Sequence, residues 1–240
     1  MGNKDPGSAH TPTELRSLVL IALAGVVSVV ALDALGVPAF ERFFGDVPAL
    51  EVSVGLILAG VATLGWLSGS GALPVYRRGV PETLGILAIA ALFPAPVIVV
   101  DLFGGFPETL NVTWPASALF YPVMALLAES AFHVLPLGCA YLVGVTLLRA
   151  RAARVLALAV VPAALIEPIF QTVIGAGDSP GWATVYVALH VFVFNLLGLH
   201  ALRRRGFVVA YLFRFTYYLI WHIGWGSLRL RLLFPPPGGV

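Results

Sequence analysis

Two ionisable residues, Glu129 and His133, lie four positions apart inside a long apolar run, in the stretch AESAFHVLP. On a helix, residues with this spacing project from the same face. Ionisable groups at membrane depth are costly, and they usually face a bundle interior or a wet cavity, where they pair with one another. The pair therefore predicts a buried polar site.

Other apolar runs carry polar groups of the same kind. Glu167 and Gln171 are also four residues apart, in LIEPIFQ, and the following runs add YVALHVFVFNLLGLH and YLFRFTYYLIWHIGW. Four helices that each contribute such groups indicate one shared polar centre. The members on the last two runs are His190, Asn195, Arg214 and His222.

The chemistry open to this set is varied. A buried carboxylate can act as a general base on water while a His or Asn stabilises an oxyanion, which would hydrolyse a peptide inside the membrane. The same residues can hold a divalent metal, although the HExxH motif is absent. Opposed histidines such as His190 and His222 can hold a haem, and a chain of such groups can relay protons in a transporter.

Several of these residues also have simpler structural interpretations. An intramembrane histidine such as His190 often makes a hydrogen bond between helices, as does Asn195. Arg214 either extends toward the headgroups or pairs with a carboxylate. Glu129 and Glu167 reach an interface less easily, so they are the main functional candidates.

The composition identifies the kind of protein that must position these residues. The chain has 240 residues, of which 59% are hydrophobic and 11% charged, with a mean hydropathy of +0.95. Soluble domains contain roughly 25% charged residues, so this is an integral membrane protein. The net charge of +2 gives no reason to expect a nucleic-acid partner. The single cysteine, Cys139, allows no intramolecular disulfide and no cysteine-rich metal motif.

The fold class that follows is all-α, with about seven transmembrane helices, because a bilayer core requires about 20 apolar residues per helix. They form one transmembrane domain, 17–227, between a polar N-terminal tail, 1–16, and a short C-terminal tail, 228–240. The predicted crossings are 17–36, 51–73, 82–102, 117–148, 153–174, 182–202 and 207–227.

The arginines predict the orientation. Three short turns, PVYRRGVPE, RARAAR and RRRG, are rich in arginine, whereas the loops between them lack Lys and Arg. Seven crossings place these turns on one side, which the positive-inside rule assigns to the cytoplasm. We therefore expect a multi-pass protein of the cell membrane with a cytoplasmic N-terminus. Arg42, Arg229 and Arg231 depart from this pattern, and an eighth half-span near the C-terminus would account for the last two.

The run 117–148 is longer than one plain crossing needs. Dividing it into two crossings would move RARAAR to the wrong side. Because proline removes a helical hydrogen bond, we expect one crossing that is broken near Pro136, with the remainder along the cytoplasmic interface.

The polar pairs resemble motifs of the CPBP family, the CAAX-protease and bacteriocin-processing membrane proteins. Those motifs are roughly EExxxR on one helix, FxxxH on the next, and HxxxN or HxxxD on a later one. AESAFH (128–133) resembles the first motif. Glu129 takes the second Glu, while Ala128 replaces the first and His133 replaces the Arg.

The second and third motifs are matched by position. On the next helix, Glu167 stands for the Phe and Gln171 for the His of FxxxH. On the last helix, Arg214 stands for the His of the third motif and Tyr218 for its Asn or Asp. The resemblance covers about residues 116 to 225, in the same order and on successive helices.

In that family the Glu and His residues are implied to activate water for cleavage near the membrane surface. The resemblance implies an intramembrane endopeptidase, a hydrolase with an altered polar site, that acts on a lipidated or transmembrane peptide without a cofactor. For such a peptidase we expect Glu129 to be the catalytic base and His133 its partner, with Glu167, His190 and His222 as supporting polar groups of the catalytic site. The expected substrate-binding residues are Gln171, Asn195, Arg214 and Tyr218.

Two alternatives stay open at this point. In the first, the chain is a non-catalytic relative of the same family that binds a lipidated peptide or a partner helix. In the second, it holds a divalent metal or a haem within the membrane.

Overall fold

The computed structural model describes residues 12–36, 40, 47–104, 106–174 and 181–234. The N-terminal tail before residue 12, most of the loop around Arg42 and the end of the C-terminal tail lie outside these residues. Within the described part all regular structure is helical, and seven helices are long and apolar enough to cross a membrane. The protein is therefore an all-α polytopic membrane protein, as predicted.

The seven helices agree with the predicted crossings to within several residues. We name them α1 to α7 in chain order, and α3 consists of two segments that meet at Phe93. A short 3₁₀ turn, Glu108–Leu110, lies in the loop between α3 and α4. The bounds are α1 Pro12–Ala34, α2 Ala49–Gly69, α3 Val80–Leu102, α4 Ser117–Leu147, α5 Ala152–Ile174, α6 Gly181–Arg205 and α7 Phe207–Leu233.

Helix α4 is the central element and the most buried of the described spans. It packs against α1, α2, α5 and α7, while α6 lies between α5 and α7 and α3 lies against α7. Helices α4 to α7 are therefore neighbours, and polar residues on them face a common interior rather than the lipid.

The break predicted near Pro136 was wrong, because α4 is helical throughout its 31 residues. It contains two π-helical segments, Glu129–Val134 and Leu142–Leu147. Pro136 follows the first of them and lies in the first turn of the next α-helical segment. A proline has no N–H to donate to the preceding turn, and the π-helical segment before Pro136 already departs from the regular α-helical hydrogen-bond pattern. The local change in winding takes the place of a break.

The last helix also differs from the prediction. Helix α7 contains a π-helical segment, Leu219–Trp225, and continues to Leu233, beyond the predicted end at residue 227. The residues that suggested an eighth half-span therefore form the last turns of α7. Arg229 is fully buried there.

The turns rich in arginine gather at one end of the bundle, which we call the arginine end. The backbone N–H of Arg77 donates to the carbonyl of Arg205 at 2.8 Å, and Arg205 also forms an ion pair with Glu82. Gly206 has φ +98°, and a Cβ atom there would lie 2.7 Å from the carbonyl oxygen of Pro74. A glycine is required at this close contact, which joins the α2–α3 and α6–α7 turns.

Candidate functional site

The guanidinium of Arg214 is the centre of a buried polar network between α4, α5, α6 and α7. Its Nε donates to Glu129 Oε1 at 2.7 Å and its Nη1 to Glu167 Oε1 at 3.0 Å. Its Nη2 donates to Asn195 Oδ1 at 3.0 Å, and a longer contact of 3.5 Å joins Nη1 to the hydroxyl of Tyr218. Arg214 thus pairs with carboxylates, one of the two interpretations that the sequence left open.

Glu129 and His133 lie on the first π-helical segment of α4 and are fully buried. His133 Nδ1 lies 2.8 Å from Glu129 Oε2, so that both carboxylate oxygens of Glu129 have partners. The imidazole packs against α6 at Gly198, where a Cβ atom would lie 3.3 Å from His133 Cε1. His133 Nε2 is buried without a hydrogen-bond partner among the described residues.

Glu167 and Gln171 form the predicted pair on α5. Gln171 Nε2 donates to Glu167 Oε1 at 3.2 Å, the same oxygen that Arg214 contacts. Glu167 Oε2 is buried and has no partner in the described part of the chain. A buried carboxylate oxygen without a partner is costly, which makes Glu167 the less completely satisfied of the two acids.

Asn195 has a structural reason for its position on α6. Pro168 lies inside α5 and has no N–H, so the carbonyl of Ala164, four residues earlier, lacks its usual helical partner. Asn195 Nδ2 donates to this carbonyl at 3.3 Å, while its Oδ1 accepts from Arg214. One amide therefore satisfies a proline-induced gap in α5 and orients the guanidinium.

The network joins one guanidinium to two carboxyl groups, those of Glu129 and Glu167. Removing charges from water costs several kcal/mol per ion unless each is paired and hydrogen-bonded. The network is therefore expensive to build, and its unmatched atoms are Glu167 Oε2 and His133 Nε2.

A cavity of about 520 Å³ adjoins this network. Its wall is largely aliphatic and aromatic, with a few polar side chains, which is the usual composition of a ligand site. Glu129, His133 and Asn195 lie behind the wall rather than in it. Of the predicted site residues, the wall contains Glu167, Gln171, His190, Arg214, Tyr218 and His222.

His190 and His222 line the cavity but belong to separate hydrogen-bond groups. His190 lies 3.3 Å from the hydroxyl of Tyr186 and 3.1 Å from that of Tyr217. His222 Nδ1 lies 2.9 Å from Asn111 Oδ1, and its ring stacks on Tyr121 with centroids 4.6 Å apart. These contacts place His190 beside Tyr186 and Tyr217 and place His222 beside Asn111 and Tyr121, so the two histidines flank the Arg214 centre.

A second buried arginine was missed by sequence reasoning. Arg229 donates through Nε to Asp101 Oδ2 at 2.7 Å and through Nη2 to Asp101 Oδ1 at 2.8 Å. Trp225 Nε1 donates to Asp101 Oδ2 at 2.6 Å. Arg229 also donates to carbonyl oxygens of the α3–α4 loop, including that of Phe106 at 3.0 Å. The available signal was an Asp near the end of one crossing and an Arg near the end of another.

A metal or haem site is not favoured by these positions. No three His, Cys, Asp or Glu side chains of the described residues are placed to hold one metal ion. Both ring nitrogens of His190 face tyrosine hydroxyls, so neither is free to ligate haem iron.

Comparison with known proteins gives no relative for this chain. No protein-family model matches it. No curated protein and no solved structure matches it either. The function must therefore be argued from the site itself.

Proposed function

We propose that this protein binds an apolar segment of a lipidated or membrane-spanning peptide in the cavity beside Arg214. The observation that carries the proposal is a cavity wall that is mostly apolar and also contains polar side chains beside Arg214, among them Glu167, Gln171 and Tyr218. A volume of about 520 Å³ is within the range of small-molecule and cofactor sites.

A peptide fits both parts of this wall. Its lipid chain or apolar side chains would contact aromatic residues such as Phe132 and Phe170, whose ring centroids are 5.5 Å apart. Backbone N–H and C=O groups must find partners when no water is present. Gln171 and Tyr218 offer such partners, and Glu167 carries the acceptor that the protein leaves free.

The test is photocrosslinking of the reconstituted protein to an acylated or prenylated peptide with a photoreactive group in its lipid chain. We expect Ala131→Trp to abolish crosslinking, because Ala131 lines the cavity. Ala62→Trp is the matched control, since Ala62 is exposed on a separate groove between α1 and α2. Equal crosslinking of both variants and the unmodified protein would overturn the proposal.

Peptide hydrolysis is the second candidate function, and it rests on a different observation. The positions that resemble the three CPBP motifs meet at one centre: Glu129 and Glu167 both contact Arg214, with Gln171 and Tyr218 beside them. Glu129 has both oxygens engaged and lies behind the wall. Glu167 is therefore the better candidate for a general base that takes a proton from an attacking water and passes it to the leaving amine.

Hydrolysis is tested by incubating the reconstituted protein with a lipidated and transmembrane peptide library in ¹⁸O-water. Mass spectrometry would detect new carboxyl ends that contain ¹⁸O. We expect products from the unmodified protein and none from Glu167→Gln or Glu129→Gln. If the unmodified protein gives no more product than Glu129→Gln, the peptidase interpretation fails while the binding proposal is unaffected.

A further inference from the structure

The cavity occupies one half of the bundle. The end of the bundle opposite the arginine end is formed by the first turns of α2, α4 and α6 and the last turns of α1, α3, α5 and α7. On α4, α5 and α6 the wall residues lie between these terminal turns and the middle of each helix, as Met124, Thr172 and Val187 illustrate. Arg214, on α7, is the wall residue that reaches farthest toward the arginine end. The wall at the opposite end includes Phe106 and Leu110 of the α3–α4 loop.

This loop is fastened to the helices around it. Arg229 donates to the carbonyl oxygens of Phe106, Pro107 and Glu108 at 3.0, 3.1 and 3.4 Å. Farther along, the backbone N–H of Val112 donates to the hydroxyl of Tyr121 at 2.9 Å. The loop that contributes Phe106 and Leu110 to the cavity wall is therefore held by both α7 and α4.

The side of the cavity between α4 and α5 is built differently. Helix α5 packs mainly on α6 and on the part of α4 from Glu129 onward, whereas the first part, Ser117–Ala128, packs mainly on α1, α2 and α7. The two helices therefore separate toward the end opposite the arginine turns. Phe132 and Phe170 meet where this separation begins.

Wall residues near this separation are only partly buried. They include Ala131, Phe132, Phe170, Gln171 and Thr172. Their side chains are apolar or uncharged and polar. This surface suits contact with acyl chains, whereas a water-filled entrance would be expected to carry more polar groups.

We infer that the ligand enters sideways between α4 and α5, from the membrane leaflet opposite the arginine end. This inference rests on the proposed binding function and narrows its ligand class. Because arginine-rich turns face the cytoplasm, that leaflet is the non-cytoplasmic one. The ligand is then a peptide whose lipid anchor or helix end lies in the non-cytoplasmic leaflet, in contrast to a prenylated protein anchored on the cytoplasmic side.

The test compares intact spheroplasts with inside-out membrane vesicles. The protein carries Arg151→Cys in a Cys139→Ser background, so that a membrane-impermeant maleimide reports whether the arginine end faces the medium. Arg151 is exposed in the turn between α4 and α5, outside the cavity. A photoreactive acylated peptide with several charged residues, which prevent it from crossing the bilayer, is added to each preparation.

We expect the maleimide to label Arg151→Cys in inside-out vesicles and not in spheroplasts, and we expect crosslinking, located by mass spectrometry to α4 and α5, to be at least tenfold stronger in spheroplasts. Labelling of Arg151→Cys in intact spheroplasts would overturn the assignment to the non-cytoplasmic leaflet. Crosslinking that is equal in both preparations, or stronger where the maleimide reacts, would overturn the inference but leave the binding proposal intact. Absence of crosslinking in both preparations and in detergent solution would instead overturn the binding proposal on which the inference rests.

Discussion

Arg214 and Arg229, the two buried arginines among the described residues, are paired in different ways. Arg229 faces one carboxylate, Asp101, with two hydrogen bonds of 2.7 and 2.8 Å, and its other N–H group donates to backbone carbonyls. Arg214 faces two carboxylates, Glu129 and Glu167. Both guanidinium groups are at most 1% exposed.

The two groups differ in whether all their buried polar atoms have hydrogen-bond partners. Both oxygens of Asp101 have partners, one of them also accepting from Trp225. Around Arg214, by contrast, Glu167 Oε2 and His133 Nε2 have none within the described ranges. Because a buried ion pair with all partners matched can be purely structural, we interpret the Arg229 group as a clasp for the α3–α4 loop. We interpret the Arg214 group as the ligand site, because Glu167, which carries one of the unmatched atoms, lies in the cavity wall.

The largest effect is expected from Arg214→Met. This change leaves two buried carboxylates without their cation, and breaking one buried pair already costs about 3–5 kcal/mol. We expect a strong fall in the thermal unfolding temperature in detergent and loss of peptide crosslinking. The triple variant that adds Glu129→Gln and Glu167→Gln should recover much of the stability. An unfolding temperature of the single variant within a few degrees of the unmodified protein would contradict this account of the network.

Arg229→Met should produce the next largest loss, about 3 kcal/mol, because it leaves one buried carboxylate unpaired. The double change Asp101→Leu with Arg229→Met removes both charges and should restore part of the unfolding temperature. Below that temperature we expect peptide crosslinking to persist. If crosslinking disappears although the protein is folded, as judged by circular dichroism, the distinction between a clasp and a site is wrong.

The paired variants Asp101→Asn and Glu167→Gln sharpen the comparison further. Each keeps the size of the side chain and removes its charge. Asp101 loses charge-assisted bonds at both oxygens, whereas Glu167 uses only one oxygen, and such bonds contribute roughly 1.5–3 kcal/mol each. Chemical or thermal unfolding should therefore show the larger loss for Asp101→Asn. The opposite order would mean that Glu167 is the more completely paired of the two acids.

The smallest effect is expected from His190→Phe. The new ring can keep the contact with Phe93, whose centroid is 4.5 Å from that of His190. The change removes the contacts with the hydroxyls of Tyr186 and Tyr217, and a neutral hydrogen bond contributes about 1 kcal/mol. Unfolding measurements should show a loss of this order, reduced when Tyr186→Phe is added. A loss as large as that of Arg229→Met would place His190 in the central network.

The helices could be predicted from the sequence because the bilayer imposes a simple length rule. About 20 apolar residues are needed for each crossing, and the seven predicted runs correspond to the seven helices. The interior of α4 was harder. A proline suggested a break at Pro136, but the π-helical winding of Glu129–Val134 depends on packing against α2 and α5, which a local pattern does not show.

The site was predictable in part for a similar reason. Residues four positions apart lie on the same face of a helix, and Glu129 with His133 and Glu167 with Gln171 are hydrogen-bonded across this spacing. The pairing of Asp101 with Arg229 spans 128 positions, so no local periodicity reveals it.

The contacts of Arg214 and of the histidines that line the cavity depend on how the helices are rotated against one another. The charge of Arg214 predicted that its side chain either extends toward the lipid headgroups or pairs with a carboxylate. Only the rotation of α7 against α4 and α5 decides between these two positions. The division of the histidines into separate groups around Tyr217 and Asn111 depends on the same rotations.

The most direct test of the central claim is the rise in unfolding temperature that a saturating acylated peptide produces. A ligand that binds the folded state stabilises it by about 2.7 kcal/mol at a hundred times its Kd. Leu64→Ala provides the matched control, because Leu64 is a buried α2 residue outside the cavity wall and its truncation costs roughly 2–5 kcal/mol. We predict that Leu64→Ala keeps the ligand-induced rise of the unmodified protein and that Glu167→Gln loses most of it. A full rise in Glu167→Gln would contradict the assignment of the unmatched carboxylate to ligand binding.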